Sequence, residues 1–511
     1  MAVTDDRKFT KAEVYSILED AKGRTLGEVD KSNQFARTEK SPKITGIAGD
    51  VIEQSVFGYE RDSNQECDIE IDGVLTELKT TGVRVPKGNL CRANGKKGDA
   101  YNIFLGAKEG ISITGVTFEP TYQTEFSSSH FWQKAEHLLI VFYEYKSYEV
   151  VPASDYAHFP IVDYCYNSFS DDERAKLQSD WEIVRDYLRK IYTEFPDVDK
   201  RNEQLIGFTH VLRPNLLLIE LVPGFKRKVS GSYQKPRYRL KQTFVDYIVR
   251  GHFDKSRAKN EIVLKESFSS FVQLDARCHA LAARFKGKTI AQLKEIFDIE
   301  ADTKDIAARC IICMFGADCK RLNQISDFVK AGIIAKTITI TPKGTWTEDM
   351  KLKRINFEEW ADRDIDFEDS DVYGYFCEHS FLCPIFCEYD DKNHNSTTFE
   401  GFKRFAFDEE FMENEVRRTW EDSRNLIHRN ELRWEYAYDK QGNIRKNGNG
   451  AFIGAPNFPK SSEYKVFFRG GADVSTEKSR TECVNGIQML PQFFWLKGSY
   501  IARKLQEIPY L

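Results

Sequence analysis

A chain of 511 residues is too long for one ordinary domain, and 41% hydrophobic with 13% aromatic side chains is too apolar for a disordered one, so two large globular domains are expected. No apolar run approaches the ~18 residues of a membrane span, and the first eight residues have no apolar stretch behind them for a secretory signal; a cytoplasmic protein that does not enter the membrane is expected. The formal net charge is −5, so affinity for a polyanion has to come from local basic clusters, not from the field of the whole molecule.

In chain order, residues 46–58 read as an apolar helix closing at Phe57-Gly58. Next comes Asp68-Ile69-Glu70-Ile71-Asp72-Gly73-Val74-Leu75-Thr76-Glu77-Leu78-Lys79. Asp72-Gly73 is a hairpin turn signal, and alternation in the following strand places Leu75, Glu77 and Lys79 on one face. Two carboxylates and an ammonium can then converge. Phosphodiester hydrolysis needs a hard cation held by oxygen ligands and a water made nucleophilic at neutral pH. Asp68 and Glu77 supply ligands for Mg2+, and Lys79 can orient the water and help deprotonate it. Glu-X-Lys recurs at Glu144-Tyr145-Lys146 and Glu463-Tyr464-Lys465, so the tripeptide means nothing without context; its ordinary explanation is an exposed strand with a cross-strand ion pair.

Further along, a basic loop at residues 87–97 carries Arg92 and Lys96, and residues 138–145 form a strong apolar strand. The stretch around Trp181 has helical apolar spacing and reads as core. Residues 223–241 contain no acid, while Lys226, Arg227, Lys228, Lys235, Arg237, Arg239 and Lys241 alternate with Tyr233 and Tyr238; they form a phosphate-tracking surface or a solvated loop. Cys310 and Cys313 have zinc-ligand spacing but lie in a run that reads as a buried helix ending at Gly316.

A faint internal duplication orders the whole chain. Gly23-Arg24-Thr25-Leu26 resembles Gly287-Lys288-Thr289-Ile290, Phe57-Gly58 resembles Phe315-Gly316, Trp181-Glu182 resembles Trp420-Glu421, and Tyr238-Arg239-Leu240-Lys241 resembles Phe494-Trp495-Leu496-Lys497. The matches keep one order at offsets of roughly 240–265 residues, as tandem copies with unequal loops would. The expected fold is α/β: two domains of mixed sheet flanked by helices, over residues 1–255 and 262–511.

Residues 46–58, followed by Asp68 and Glu77-Leu78-Lys79, resemble the MutH-like branch of the PD-(D/E)XK nucleases, the restriction-endonuclease-like fold. The resemblance implies that Glu53 joins Asp68 and Glu77 in the metal site, and that Lys134, in Ser129-His130-Phe131-Trp132-Gln133-Lys134, is a further active-site lysine. His130 beside Trp132 reads as structural. Arg213-Pro214 resembles the family's base-recognition element, an arginine fork suited to guanine O6 and N7, with Arg237, Arg239 and Lys241 as further DNA contacts. Asn215, Arg239 and Thr45 depart from the mismatch-repair members, so N6-methyladenine in the site is expected to be tolerated.

The whole chain, including Phe468-Arg469-Gly470-Gly471, resembles the large GATC-cutting type II restriction endonucleases of that branch. This implies double-strand cleavage of GATC-containing DNA, a cognate methyltransferase protecting host DNA, and a homodimer formed on DNA. Matching the copies sets Lys336 against Glu77, Ile338 against Lys79, Ile311 against Glu53 and Glu378 against Lys134. The second domain is therefore expected to be catalytically dead, an allosteric or second-site DNA binder with Arg469 as its contact. A strand-nicking repair endonuclease and a noncatalytic DNA-binding protein stay open as alternatives.

Overall fold

The computed structural model describes residues 5–42, 44–60, 66–85, 105–147, 151–205, 207–222, 235–254, 262–300, 305–319, 321–345, 348–389, 394–448, 450–472 and 476–511. The basic loop at 87–97, Lys226, Arg227, Lys228, Tyr233 and most of the expected linker lie outside them. The chain forms two compact units, one of residues 1–147, 151–274 and 315–333, the other of 148–150, 275–314 and 334–511.

The first unit is built on a mixed sheet. Its strands are β1 (Lys8–Phe9), β2 (Ile69–Ile71), β3 (Val74–Arg84), β4 (Gly106–Ala107), β6 (His137–Glu144) and β7 (Ile161–Ser168), in the order β1-β2-β3-β6-β7 with β4 on the end of β3. β3 and β6 run parallel, as do β1 and β2, whereas β2 is antiparallel to β3 and β7 to β6. β6 is buried at six of its eight positions, as expected for a central strand covered on both faces. β5 (Ile111–Gly115), β9 (Arg237–Leu240) and β8 (Ile219–Val222) form a separate antiparallel sheet.

The long helix Asp171–Glu194 starts at a capping box, in which the Ser170 hydroxyl accepts from the Glu173 N–H and the Glu173 carboxylate accepts from the Ser170 N–H. Leu177, Trp181, Val184, Leu188 and Ile191 form its buried stripe, so Trp181 is core, as its spacing implies. Lys176 is fully buried on this helix. It is paired with Asp327 at 3.1 Å and hydrogen-bonded to Ser267 at 2.9 Å, which gives the buried ammonium the partners it requires.

In the second unit, β10 (Ile333–Ala335), β11 (Ile338–Ile340), β13 (Ser380–Cys387) and β14 (Thr398–Phe405) form a sheet in which β13 is parallel to β11 and antiparallel to β14. β12 (Met350–Arg354), β20 (Gln492–Leu496) and β17 (Val466–Gly470) form an antiparallel sheet. Between these lie the short hairpins β15 (Trp434–Tyr436) with β16 (Gly454–Pro456), and β18 (Glu482–Val484) with β19 (Ile487–Met489). The core around Trp360, Phe376, Trp420 and Phe494 belongs to this unit. Cys310 is buried in the helix Ile306–Met314, and Gly316 follows with φ +69°.

Candidate active site

Asp72 and Gly73 both have positive φ, +47° and +82°, which is the two-residue turn that lets strand twist continue through a hairpin. The turn sets Ile71 opposite Val74 and Ile69 opposite Thr76. Asp68, just before β2, therefore falls beside the middle of β3, and its carboxylate accepts the Leu78 N–H at 2.8 Å. On β3, Glu77 is only 1% exposed, and its Oε1 accepts from Lys79 Nζ at 2.7 Å.

Lys134 arrives from the short helix His130–Ala135, whose N-terminal cap is the Ser129 hydroxyl accepting from Trp132. Lys134 is 9% exposed, and its ammonium donates to both Glu77 oxygens at 3.0 Å. His130 shares a hydrogen bond with Thr114 at 3.0 Å, in keeping with its structural reading.

Glu53 comes from the other direction. The helix Ile47–Val51 widens into one turn with i→i+5 hydrogen bonding, Ile52–Phe57, and stops at Gly58 with φ +81°. Such widened turns recur at functional sites because they re-aim side chains that a regular helix would space differently. The Gly58 and Tyr59 N–H groups both donate to the Glu53 carbonyl, at 3.0 and 3.3 Å, and fix the turn from below. A Cβ on Gly49 would meet Glu53 Oε1 at 3.9 Å and Thr80 Oγ1 at 3.7 Å, which locates the Glu53 carboxylate beside β3.

The electrostatics follow from packing carboxyls together away from water. Burial first, and then repulsion from Asp68, push the Glu53 carboxyl up to about 7. Burial and the charge of Glu77 push Asp68 up to about 6. For Lys79, burial works against the ammonium, but the charges of Glu77, Asp68 and Glu53 outweigh it and hold the pKa above its ordinary value. Lys79 therefore stands as a hydrogen-bond donor to Glu77 in this arrangement.

Among the described residues, no three His, Cys, Asp or Glu side chains stand ready-arranged to hold a metal ion. The donor chemistry nonetheless suits a hard divalent cation. Asp68 and Glu53 offer carboxylate oxygens whose mutual repulsion a cation would relieve, and Glu77 meanwhile uses its oxygens on two lysines.

The residues expected at DNA fall into three groups. Arg237 is exposed on β9, while Arg239 is half-buried beside it and bonded to Glu220 at 2.5 Å. Arg213 and Pro214 form a half-buried turn, in which the guanidinium contacts His210 Nδ1 at 2.7 Å. Arg469 is exposed, pairs with Asp349 at 2.7 Å and lies over Trp495 at 4.8 Å.

Lys241 requires a correction. It is 3% exposed and donates to the Leu216 carbonyl at 2.6 Å, so its charge serves the fold around Arg213 rather than phosphates. Its counterpart, missed in the sequence, is Asp180. This buried carboxylate accepts the N–H groups of Leu217, Leu218 and Ile219 at 2.7, 2.7 and 2.9 Å. An aspartate beside Trp181, on the helix face that carries Leu177, Val184 and Leu188, was the available signal.

Residues 57–180 match the family model described as DNA mismatch repair enzyme MutH. That segment includes Asp68, Glu77, Lys79, Lys134 and Asp180, and begins just after Glu53. The chain is also 23% identical over 544 residues to the type II restriction enzyme Sau3AI of Staphylococcus aureus, an alignment covering 98% of this chain and 99% of the relative. The protein therefore carries a segment similar to the mismatch repair enzyme MutH within a chain that is similar, end to end, to a type II restriction enzyme.

Proposed function

We propose that the protein is a type II restriction endonuclease that makes double-strand cuts in GATC-containing DNA. The carrying observation is the convergence of Asp68, Glu77, Lys79 and Lys134 inside the MutH-like segment, with Glu53 joining them from just before it. Asp68, Glu77 and Glu53 would hold Mg2+. When bound there, the cation supplies positive charge to the non-bridging phosphate oxygens and eases deprotonation of water.

The chain's own side chains do the positioning. Lys79 stays protonated and donates to the water that attacks phosphorus. Lys134 neutralises and orients Glu77 through both carboxylate oxygens. Glu53 is delivered to the site by the widened turn at the end of its helix, where its carboxylate would join the metal ligands. Arg213 reads a guanine, and Arg237 and Arg239 follow the phosphates.

The C-terminal half is proposed to be a second, inactive copy of the fold, and local geometry supports this beyond sequence likeness. Gly23 and Gly287 have φ of +81° and +77°, and their N–H groups donate to Ile161 and Phe399 on the corresponding strands β7 and β14. Thr25 and Thr289 each open a capping box two residues later. Ser129 and Ser370 each cap a short helix while donating to a phenylalanine carbonyl three residues back. Counting from these serines puts Tyr375, not Glu378, opposite Lys134. The position still has no ammonium. Lys336, opposite Glu77, offers a nitrogen and no carboxylate where a hard cation needs an oxygen ligand.

Incubation of a GATC plasmid with Mg2+, with and without chelator, tests the reading, with the ends mapped by sequencing. Linear product with ends at GATC is expected. Nicked circles alone would favour a repair-type nicking enzyme, and binding without cleavage a noncatalytic protein.

A further inference from the structure

The two halves differ at one place in the chain. Between the helix Asp171–Glu194 and β8, the first carries the turn with Arg213. Between the helix Arg418–His428 and β17, the second makes three passes instead, at residues 434–438, 444–446 and 451–456. The passes close on one another: the Ala437 N–H donates to the Ile453 carbonyl, Ile453 to Arg445, and Arg445 to Ala437, each at 2.8 Å. One turn design is used twice. Gly442 and Gly450 have φ of +86° and +81°, which favours glycine, and the side chains of Asp439 and Asn447 accept the N–H groups of Asn443 and Ala451 at 2.8 and 3.0 Å.

This element exposes Tyr436, Tyr438 and Phe452. The rings of Tyr436 and Phe452 are 6.2 Å apart, so the aromatics form a patch and are not scattered singly. Trp434 stands 6.4 Å from Tyr436, under the Arg480 guanidinium at 4.3 Å, and Lys446 Nζ lies 4.9 Å from the Phe452 centroid. Residues 440–462 contain Lys440, Arg445, Lys446 and Lys460 and no acid. The two acids just before them are already occupied: Glu435 by Arg433 at 3.2 Å and by Lys460, Asp439 by the N–H groups of Gln441 and Asn443. Among the described residues no carboxylate pairs with Lys440, Arg445 or Lys446, and all three are exposed.

We propose that this element is the surface by which the C-terminal half binds duplex DNA, with Lys440, Arg445 and Lys446 on phosphates and Tyr436, Tyr438 and Phe452 against sugars and bases. Charge complementarity selects the occupant: cations without carboxylate partners suit a polyanion, whereas protein interfaces are depleted in lysine. A β-ribbon is also narrow enough for the major groove. The inference rests on the reading of the C-terminal half as a second DNA-binding copy. It puts the contact on the segment that, in the first copy, holds the Arg213 turn.

The test uses the full-length protein and a short GATC duplex, with Ca2+ in place of Mg2+. In wild type carrying two duplexes per chain, acetylation of Lys440 and Lys446 by acetic anhydride, read by mass spectrometry, should fall several-fold against the DNA-free protein. In the Arg445→Gln/Lys446→Gln variant, the slope of log affinity against log salt should drop by about 1.8, two phosphate contacts, for one duplex and stay as in wild type for the other. The acetylation arm needs no variant, so it decides even where the variant melts lower. Unprotected lysines, or unchanged slopes for both duplexes, overturn the inference and leave the second-copy reading intact. A wild type that binds a single duplex per chain overturns that reading and the inference with it. Protection that grows with protein concentration in the absence of DNA makes the patch a contact between copies, which also overturns the inference.

Discussion

Glu77→Gln perturbs the most tightly buried charge arrangement of the site. In the native protein one carboxylate, 1% exposed, is bonded to two ammonium groups, Lys79 at 2.7 Å and Lys134 at 3.0 Å. The amide keeps the volume and one acceptor but removes the negative charge, leaving Lys134, 9% exposed, with no other carboxylate bonded to it among the described residues. Breaking a buried pair on one side costs about 3–5 kcal/mol. Asp68 still offsets part of the Lys79 charge, so the lower end, about 3 kcal/mol, is expected. Lys134→Met added to Glu77→Gln removes the stranded ammonium and should recover about 1–2 kcal/mol, because the two sites are in direct contact and non-additive. Urea denaturation of wild type, both single variants and the double variant gives the cycle, and plasmid cleavage is expected to be lost in Glu77→Gln and in the double variant. A loss below about 1 kcal/mol for Glu77→Gln, or a double variant less stable than the sum of the singles, would refute the buried triad as a coupled unit.

Ionisation of Glu53 and Asp68 should govern the acid limb of activity, rising through pH 6 to 7. The sign is fixed by linkage: both carboxyls are raised above their ordinary values, so the folded metal-free protein binds more protons between about pH 4 and 7 and loses stability as pH rises through that window. Melting curves in chelator at pH 5.5 and 8 should show the decline, and Glu53→Gln should flatten it; an equal slope in the variant contradicts the assignment. Arg237→Ala is expected to lower the slope of log affinity against log salt by about 0.9, one phosphate contact, whereas Lys241→Met should leave that slope unchanged and lower stability. Filter binding across a salt series separates the two, and equal slope changes would put Lys241 back on the DNA. If the C-terminal half binds a second site, a plasmid with two GATC sites is cut faster than one with a single site, and an added GATC duplex activates the latter. Arg469→Ala should reduce that advantage and spare the one-site rate. Equal rates on both plasmids would leave this half as a scaffold.

Local rules alone determined much of this molecule. Asp72-Gly73 prescribes a hairpin because both residues tolerate positive φ, and that turn fixes the register placing Asp68 beside Leu78. Phe57-Gly58 marks a helix end for the same steric reason, and the apolar spacing around Trp181 gives a buried helix face. Tertiary structure decided the protonation and partners of the same side chains. Glu77, Asp68 and Glu53 come together around Lys79 and favour its ammonium form. Lys241 sat in a basic run that reads as a DNA surface, yet the unpaired carbonyl of Leu216 drew it inside, while Asp180 closed over three amides from 37 to 39 residues away. Charge along a sequence is indifferent to burial, whereas desolvation makes a buried charge seek a specific partner, and that partner comes from wherever the fold brings the chain.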